Sequence, residues 1–193
     1  MKKINSAIIS VFNKDKIDEI CLLLSKNNVT IYSTGGTYNY ISSLGLKIEK
    51  VEDLTSYPSI LNGRVKTLHP KVFGGILKTN SDSDIKDSKN FKIPDIDLVI
   101  VDLYPFEETV KSSNDHSEII EKIDIGGISL IRAAAKNYEN IVCISSSSQY
   151  ESLFPGPLAR GLLPPRRCSR CHRAAAAAAT RLVHNLYNRH SAL

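Results

Sequence analysis

Two β-branched apolar runs, each followed by a segment of helical periodicity, fill the first 45 residues and constrain the fold more than any other feature. Residues 4–11, from Ile4 to Val11, read as a strand buried on both faces. Residues 15–26 follow with Ile17, Ile20, Cys21 and Leu24 at helical spacing. Asn27-Asn28 ends that helix, and Val29 to Ser33 reads as a second strand. Thr34-Gly35-Gly36-Thr37 then turns the chain into a helical pattern through Tyr40, Ile41 and Leu44, stopped by Gly45. Strand, helix, strand, glycine turn, helix is the grammar of an α/β protein with an open, mostly parallel, doubly wound sheet.

The rest of the chain extends that reading. A short strand is expected over 46–51, a loop-rich stretch over 53–75 and a polar surface connection over 80–95. Ile96 to Leu103 is the most continuous apolar strand, and Tyr104-Pro105-Phe106 closes it because proline forbids simple continuation. Residues 117–123 read as a short helix, Asp124-Ile125-Gly126-Gly127 as a turn, 128–137 as an alanine-rich helix, and Ile141 to Ser145 as the last strand.

Charge divides the chain. Residues 1–152 carry 18 Lys and Arg against 20 acids, whereas 153–193 carry 7 Arg and neither Lys nor acid. The body, expected to be one domain over 1–152, therefore has no bulk attraction for nucleic acid. Past Phe154-Pro155-Gly156-Pro157 the composition turns to Arg, Ala and Pro, with a run at Ala174–Ala179, which suggests an atypical tail over 153–193, disordered or helical in part. Its arginines leave open a nucleic-acid-binding reading of the tail. Cys168, Cys171, His184 and His190 satisfy a zinc-finger spacing, and Cys168-Ser169-Arg170-Cys171-His172 a haem-attachment pattern. The interval lacks the finger's usual aromatic and no signal peptide supports haem attachment, so neither metal nor haem is expected. No apolar run approaches a membrane span, Ala7 to Phe12 is too short for a signal peptide, and four cysteines form no disulfide framework. A cytoplasmic protein is expected.

Gly63-Arg64-Val65-Lys66-Thr67-Leu68-His69-Pro70 concentrates two cations, a hydroxyl and an imidazole between backbone punctuation. Arg64 offers a fork of donors and Lys66 a point charge for a phosphate; the bland alternative is a solvated loop. Thr34-Gly35-Gly36-Thr37 opens a helix whose free N–H groups and dipole suit the same anion, or it is a tight turn capped by Thr37. Ser10 to Lys14 ends the preceding strand on the same carboxyl edge, where open sheets bind ligands. Asp124 is either a helix cap or a charge partner beside N–H groups able to hold an oxyanion. Arg132 and Lys136 share a helix face. Tyr104, just past the strongest strand, is a cleft hydrogen-bond donor or a rim aromatic.

Ser33 to Thr37, Gly63 to Pro70, Leu103 to Phe106, Ile123 to Gly127 and Arg132 to Asn137 together resemble the inosine monophosphate (IMP) cyclohydrolase domain of the bifunctional purine-biosynthesis family. The resemblance implies a methylglyoxal-synthase-like fold and ring closure of 5-formamidoimidazole-4-carboxamide ribotide to IMP with loss of water. It implies no metal or organic cofactor, a purine ribotide as the small-molecule partner, and a homodimer. The family's formyltransferase domain lies outside these 193 residues. The resemblance maps the phosphate pocket onto Lys14, Thr34, Gly35, Gly36, Thr37, Arg64 and Thr67. Further substrate contacts fall on Ser10, Phe12, Asn13, Val65, Lys66, Val101, Asp102, Asp124 and Ile125. It implies that Lys136 handles proton transfer, that Lys66 and Asp124 set its charge state, and that Tyr104 aids the oxyanion. Phe12 and Asn13 stand where the family commonly has serine and aspartate, Phe73 replaces a frequent histidine, and Asp102 a frequent asparagine. The rival within the fold is a methylglyoxal-synthase-like lyase or a phosphate-sensing domain, and a further alternative is an inactive nucleotide-binding fragment with an Arg-rich nucleic-acid-binding tail.

Overall fold

The computed structural model describes residues 3–153. Its five strands, β1 (Ser6–Ser10), β2 (Thr30–Ser33), β3 (Glu49–Lys50), β4 (Leu98–Val101) and β5 (Val142–Ile144), form one sheet in the order β3-β2-β1-β4-β5. Every pairing is parallel. The central strands follow the two-residue alternation that divides a sheet into two faces. Ala7 and Ile9 of β1, with Leu98 and Ile100 of β4, enter one core. Ile8, Val99 and Val101 enter the other.

Helices cover both faces. The first core takes Ile17, Ile20, Cys21 and Leu24 of α1 (Ile17–Lys26), Ile41 of α2 (Gly35–Ser43), and Tyr150 and Leu153 of a closing 3-10 segment, Ser147–Leu153. The second takes Val51 of α3 (Val51–Thr55), Val72 and Ile76 of α4 (Pro70–Leu77), and Leu130, Ile131 and Ala133 to Ala135 of α8 (Gly126–Lys136). Each fully buried Leu or Ile contributes about 1.5–3 kcal/mol relative to exposure. Gly75 lets α4 lie on the entry to β4: a Cβ there would stand 2.9 Å from the Pro94 carbonyl oxygen and 2.8 Å from Ile96.

The doubly wound parallel sheet matches the reading from sequence, and several segments do not, α3 among them, since a strand is expected to 51 and a loop-rich stretch from 53. Residues 70–77, of which 70–75 read as loop-rich, form α4, with Pro70 in the first turn and the His69 ring nitrogen accepting from the Lys71 N–H. The pair Gly74-Gly75 hid its apolar spacing. Residues 82–90, read as a surface connection, form α5 (Asp82–Asn90), capped by Ser81; it buries nothing, so it has no periodic apolar signal. Two short helices, α6 (Phe106–Ser112) and α7 (His116–Glu121), follow β4, the first of them unanticipated. The expectations for the tail, including Cys168, Cys171, His184 and His190, fall outside the described residues. Among the described residues no helix is long and apolar enough to cross a membrane.

Candidate active site

Strand order reverses between β1 and β4, so their carboxyl ends flank a crevice. A cleft of about 810 Å³ opens there. Asp102, the residue after β4, spans the crevice: its carboxylate accepts from the Phe12 N–H, and from the Asn13 N–H at 3.0 Å. The loop after β1 is thereby fixed to β4. Lys14 folds back, donating to the Val11 carbonyl and, at 2.9 Å, to that of Phe12. Burial lowers the pKa of this ammonium, and Asp102 opposes the shift. Asn13 turns away from the cleft and exchanges hydrogen bonds with Asp15.

The threonines of the glycine turn are engaged within the chain. The Thr34 hydroxyl donates to Glu52 at 2.5 Å. Thr37 is not the helix cap; its hydroxyl donates to the Val11 carbonyl at 2.9 Å and accepts from the Val11 N–H at 3.2 Å. α2 has no side-chain cap among the described residues, so what it turns to the cleft is its first-turn N–H groups. Gly35, at φ +56°, adopts a backbone conformation that other residues resist.

Lys66 occupies a berth between two glycines. Its Nζ lies 3.2 Å from where a Cβ on Gly35 would stand and 3.4 Å from one on Gly63. Leu61, Asn62 and Gly63 all have positive φ, which turns the chain sharply into Arg64. Arg64 forms an ion pair with Glu121 at the exposed rim. Val65 exchanges backbone hydrogen bonds with Ile60 and holds the loop rather than lining the cleft. Thr67 is buried, with its hydroxyl beside Gly126.

Asp124 closes the floor. It accepts from the Gly127 N–H at 2.6 Å, which makes it a cap for α8. Burial raises its pKa above the ordinary carboxylate range, against the Gly127 hydrogen bond and the Lys66 charge, with Asp102 adding to the rise. Tyr104 meets Phe12 edge-on, ring centroids 5.3 Å apart, and Lys122 Nζ lies 5.9 and 5.7 Å from the Phe12 and Tyr104 centroids.

The structure thus brings Ser10, Phe12, Lys14, Thr34, Gly36, Thr37, Arg64, Lys66, Thr67, Asp102, Tyr104, Asp124 and Ile125 to one cleft. Val101 is buried inside β4 and does not line it. Lys136 is exposed at the carboxyl end of α8, roughly 15 Å along the helix axis from the Gly126 end that faces the cleft. Arg132 shares that outer face and is likewise absent from the lining. Asn62, Ile120, Glu121 and Ile123 line the cleft without having been singled out from sequence. The Asn62-Gly63 turn was a usable signal; the residues around α7 carried none.

A parallel sheet with a cleft at its switch point is the architecture of an α/β domain of the class that binds ligands at the carboxyl edge of the sheet. The chain belongs to the family of MGS-like domains, whose model matches residues 16–129. It is 57% identical over 154 residues to the bifunctional purine biosynthesis protein PurH of Bacteroides thetaiotaomicron, covering 79% of this chain and 30% of that protein. The PurH protein of Leptospira biflexa is 47% identical over 154 residues, with the same coverage of 79% and 30%. The chain therefore spans about 30% of the length of these curated relatives. The crystal structure of ForH superposes with a TM-score of 0.74 at 30% identity, covering 97% of this chain and 94% of that one.

Proposed function

We propose that this chain is an IMP cyclohydrolase acting on 5-formamidoimidazole-4-carboxamide ribotide. The observation that carries the reading is the convergence of the open α2 N-terminus, the Lys66 ammonium and the Asp124 carboxylate on one cleft. The curated relatives described above are purine-biosynthesis proteins, which favours ring closure over a lyase or a phosphate sensor.

The ribotide's phosphate binds the first-turn N–H groups of α2, with Arg64 and Lys14 supplying charge. Anchoring that end holds the carboxamide nitrogen near the formyl carbon, an intramolecular attack that needs orientation above all. As the C–N bond forms, the formyl oxygen gains negative charge, and Lys66 and Tyr104 stabilise it. Asp124, with its raised pKa, takes a proton from the attacking nitrogen. That proton is passed to the oxygen, giving a hydroxyl; the former formamide nitrogen then forms the ring C=N bond and releases its own proton, and the hydroxyl leaves with it as water. No electrons are exchanged, so the reaction calls for no redox cofactor.

Lys136 has no place in this cleft within one chain. A homodimer, which the family resemblance implies, is the arrangement in which a second copy can supply it. Mixing Lys66→Ala and Lys136→Ala chains tests the point: activity that returns on mixing requires shared sites. A cytoplasmic location accords with purine synthesis. An absorbance assay for IMP from the formylated ribotide, on the full chain, tests the activity; a rate equal to the uncatalysed one refutes it.

A further inference from the structure

The cleft has two unlike walls. One is polar, formed by the α2 N-terminus, Arg64, Lys66 and Thr67. The other is aromatic and exposed: Phe12 is 48% accessible and Tyr104 39%, with their rings in edge-on contact. Large apolar side chains left bare inside a cleft gain stability when a ligand covers them. A small triose phosphate would reach the polar wall and leave the aromatic one wet. A phosphate joined to a flat heterocycle covers both.

Within the aromatic wall Phe12 is the best-anchored member. Its backbone N–H is held by Asp102, and its carbonyl accepts from Lys14 at 2.9 Å. Its ring meets Tyr104 edge-on, and the Lys122 ammonium lies near both rings. The geometry points to Phe12 as a specificity-determining residue: with Tyr104 it forms the aromatic wall against which the heterocycle of a nucleoside monophosphate packs. The choice of a purine or imidazole ring rests on the cyclohydrolase reading, whereas the preference for an aromatic ring does not. Asp102 acts as the positioning residue that holds Phe12 in place.

Calorimetric titration of the full chain with IMP and with ribose 5-phosphate separates the two walls. The native chain binds IMP more tightly than ribose 5-phosphate. Phe12→Ala weakens IMP binding about tenfold or more, the scale of base–aromatic stacking, and leaves ribose 5-phosphate within about twofold. Phe12→Tyr retains the preference. Equal weakening of both ligands by Phe12→Ala, or no weakening of either, overturns the assignment, as does a native chain that binds both alike. Turnover is measured apart: a chain that forms IMP but fails this titration loses only the Phe12 assignment, and one that passes without turnover loses only the cyclohydrolase reading.

Discussion

Two helices, α2 and α8, start at the same cleft with a glycine pair, Gly35-Gly36 in one and Gly126-Gly127 in the other, yet their N-termini are opposite in what they offer. At α8 the chain fills its own donor: the Asp124 carboxylate takes the Gly127 N–H. At α2 the nearby hydroxyls are spent elsewhere, Thr34 on Glu52 and Thr37 on Val11, and no side chain among the described residues caps the helix. A helix start carries about half a positive charge. One start is closed by an internal carboxylate, and the other keeps its N–H groups open to the cleft. The glycine pair is common to both; the neighbours decide which role each has.

Removing the charge at α8 should have the largest effect. Asp124→Asn keeps a capping side chain but loses the base, and IMP formation should fall about 10²–10⁴-fold in a steady-state assay. The same variant reports on stability. The folded pKa of Asp124 is raised, so its favourable contribution is complete below the unfolded pKa and is lost as pH rises through the folded one. Denaturant titrations across that window should show the native chain losing stability relative to Asp124→Asn as pH climbs. Parallel curves would mean that Asp124 is not buried as described.

Giving α2 its own carboxylate should be next in size. A Cβ at Gly36 meets nothing within 4 Å, so Gly36→Asp fits. It should lower ribose 5-phosphate affinity by about 10²-fold in calorimetry, as an anion displaced by a tethered one, while thermal stability holds or rises. Unchanged affinity would place the phosphate elsewhere.

Alanine at the second glycine of each pair gives a smaller contrast of opposite sign. At Gly127 a Cβ would stand 2.6 Å from an Asp124 carboxylate oxygen, so Gly127→Ala should destabilise by about 1–3 kcal/mol. Gly36→Ala should stabilise by about 0.4–1 kcal/mol. Thermal unfolding of both variants checks the pair, and shifts of the same sign would dissolve the distinction. The smallest effect is expected at the far end of α8: Lys136→Ala should leave ribose 5-phosphate affinity within about twofold in calorimetry, since Lys136 does not line the cleft.

Much of this was open to reading from residue order. Ile4 to Val11 and Ile96 to Leu103 declared buried parallel strands because an unbroken apolar run has few other uses. α1, α2 and the alanine-rich α8 declared themselves by spacing. α4 was missed because glycines at 74 and 75 look like a break until Ile93 is seen beside the first, and Pro94 and Ile96 are seen to require the small size of the second. α5 was missed because a helix that buries nothing has no apolar face to betray it. Of the residues that the resemblance marked, Lys66, Asp124 and Tyr104 line the cleft, whereas Lys136 is the last residue of the 11-residue helix whose first residue, Gly126, faces it, a separation that only the folded helix makes plain.

Local pattern, acting through neighbours three or four residues apart in helices and two apart in strands, determined the layers of this protein and put a glycine turn at the head of two helices. Which of those turns stays open was decided in three dimensions. The deciding bonds join Val11 to Thr37, Phe12 to Asp102 and Thr34 to Glu52, pairs 26, 90 and 18 residues apart. A hydrogen bond is satisfied by whichever partner the fold delivers within about 3 Å, and no periodicity along the chain encodes that delivery.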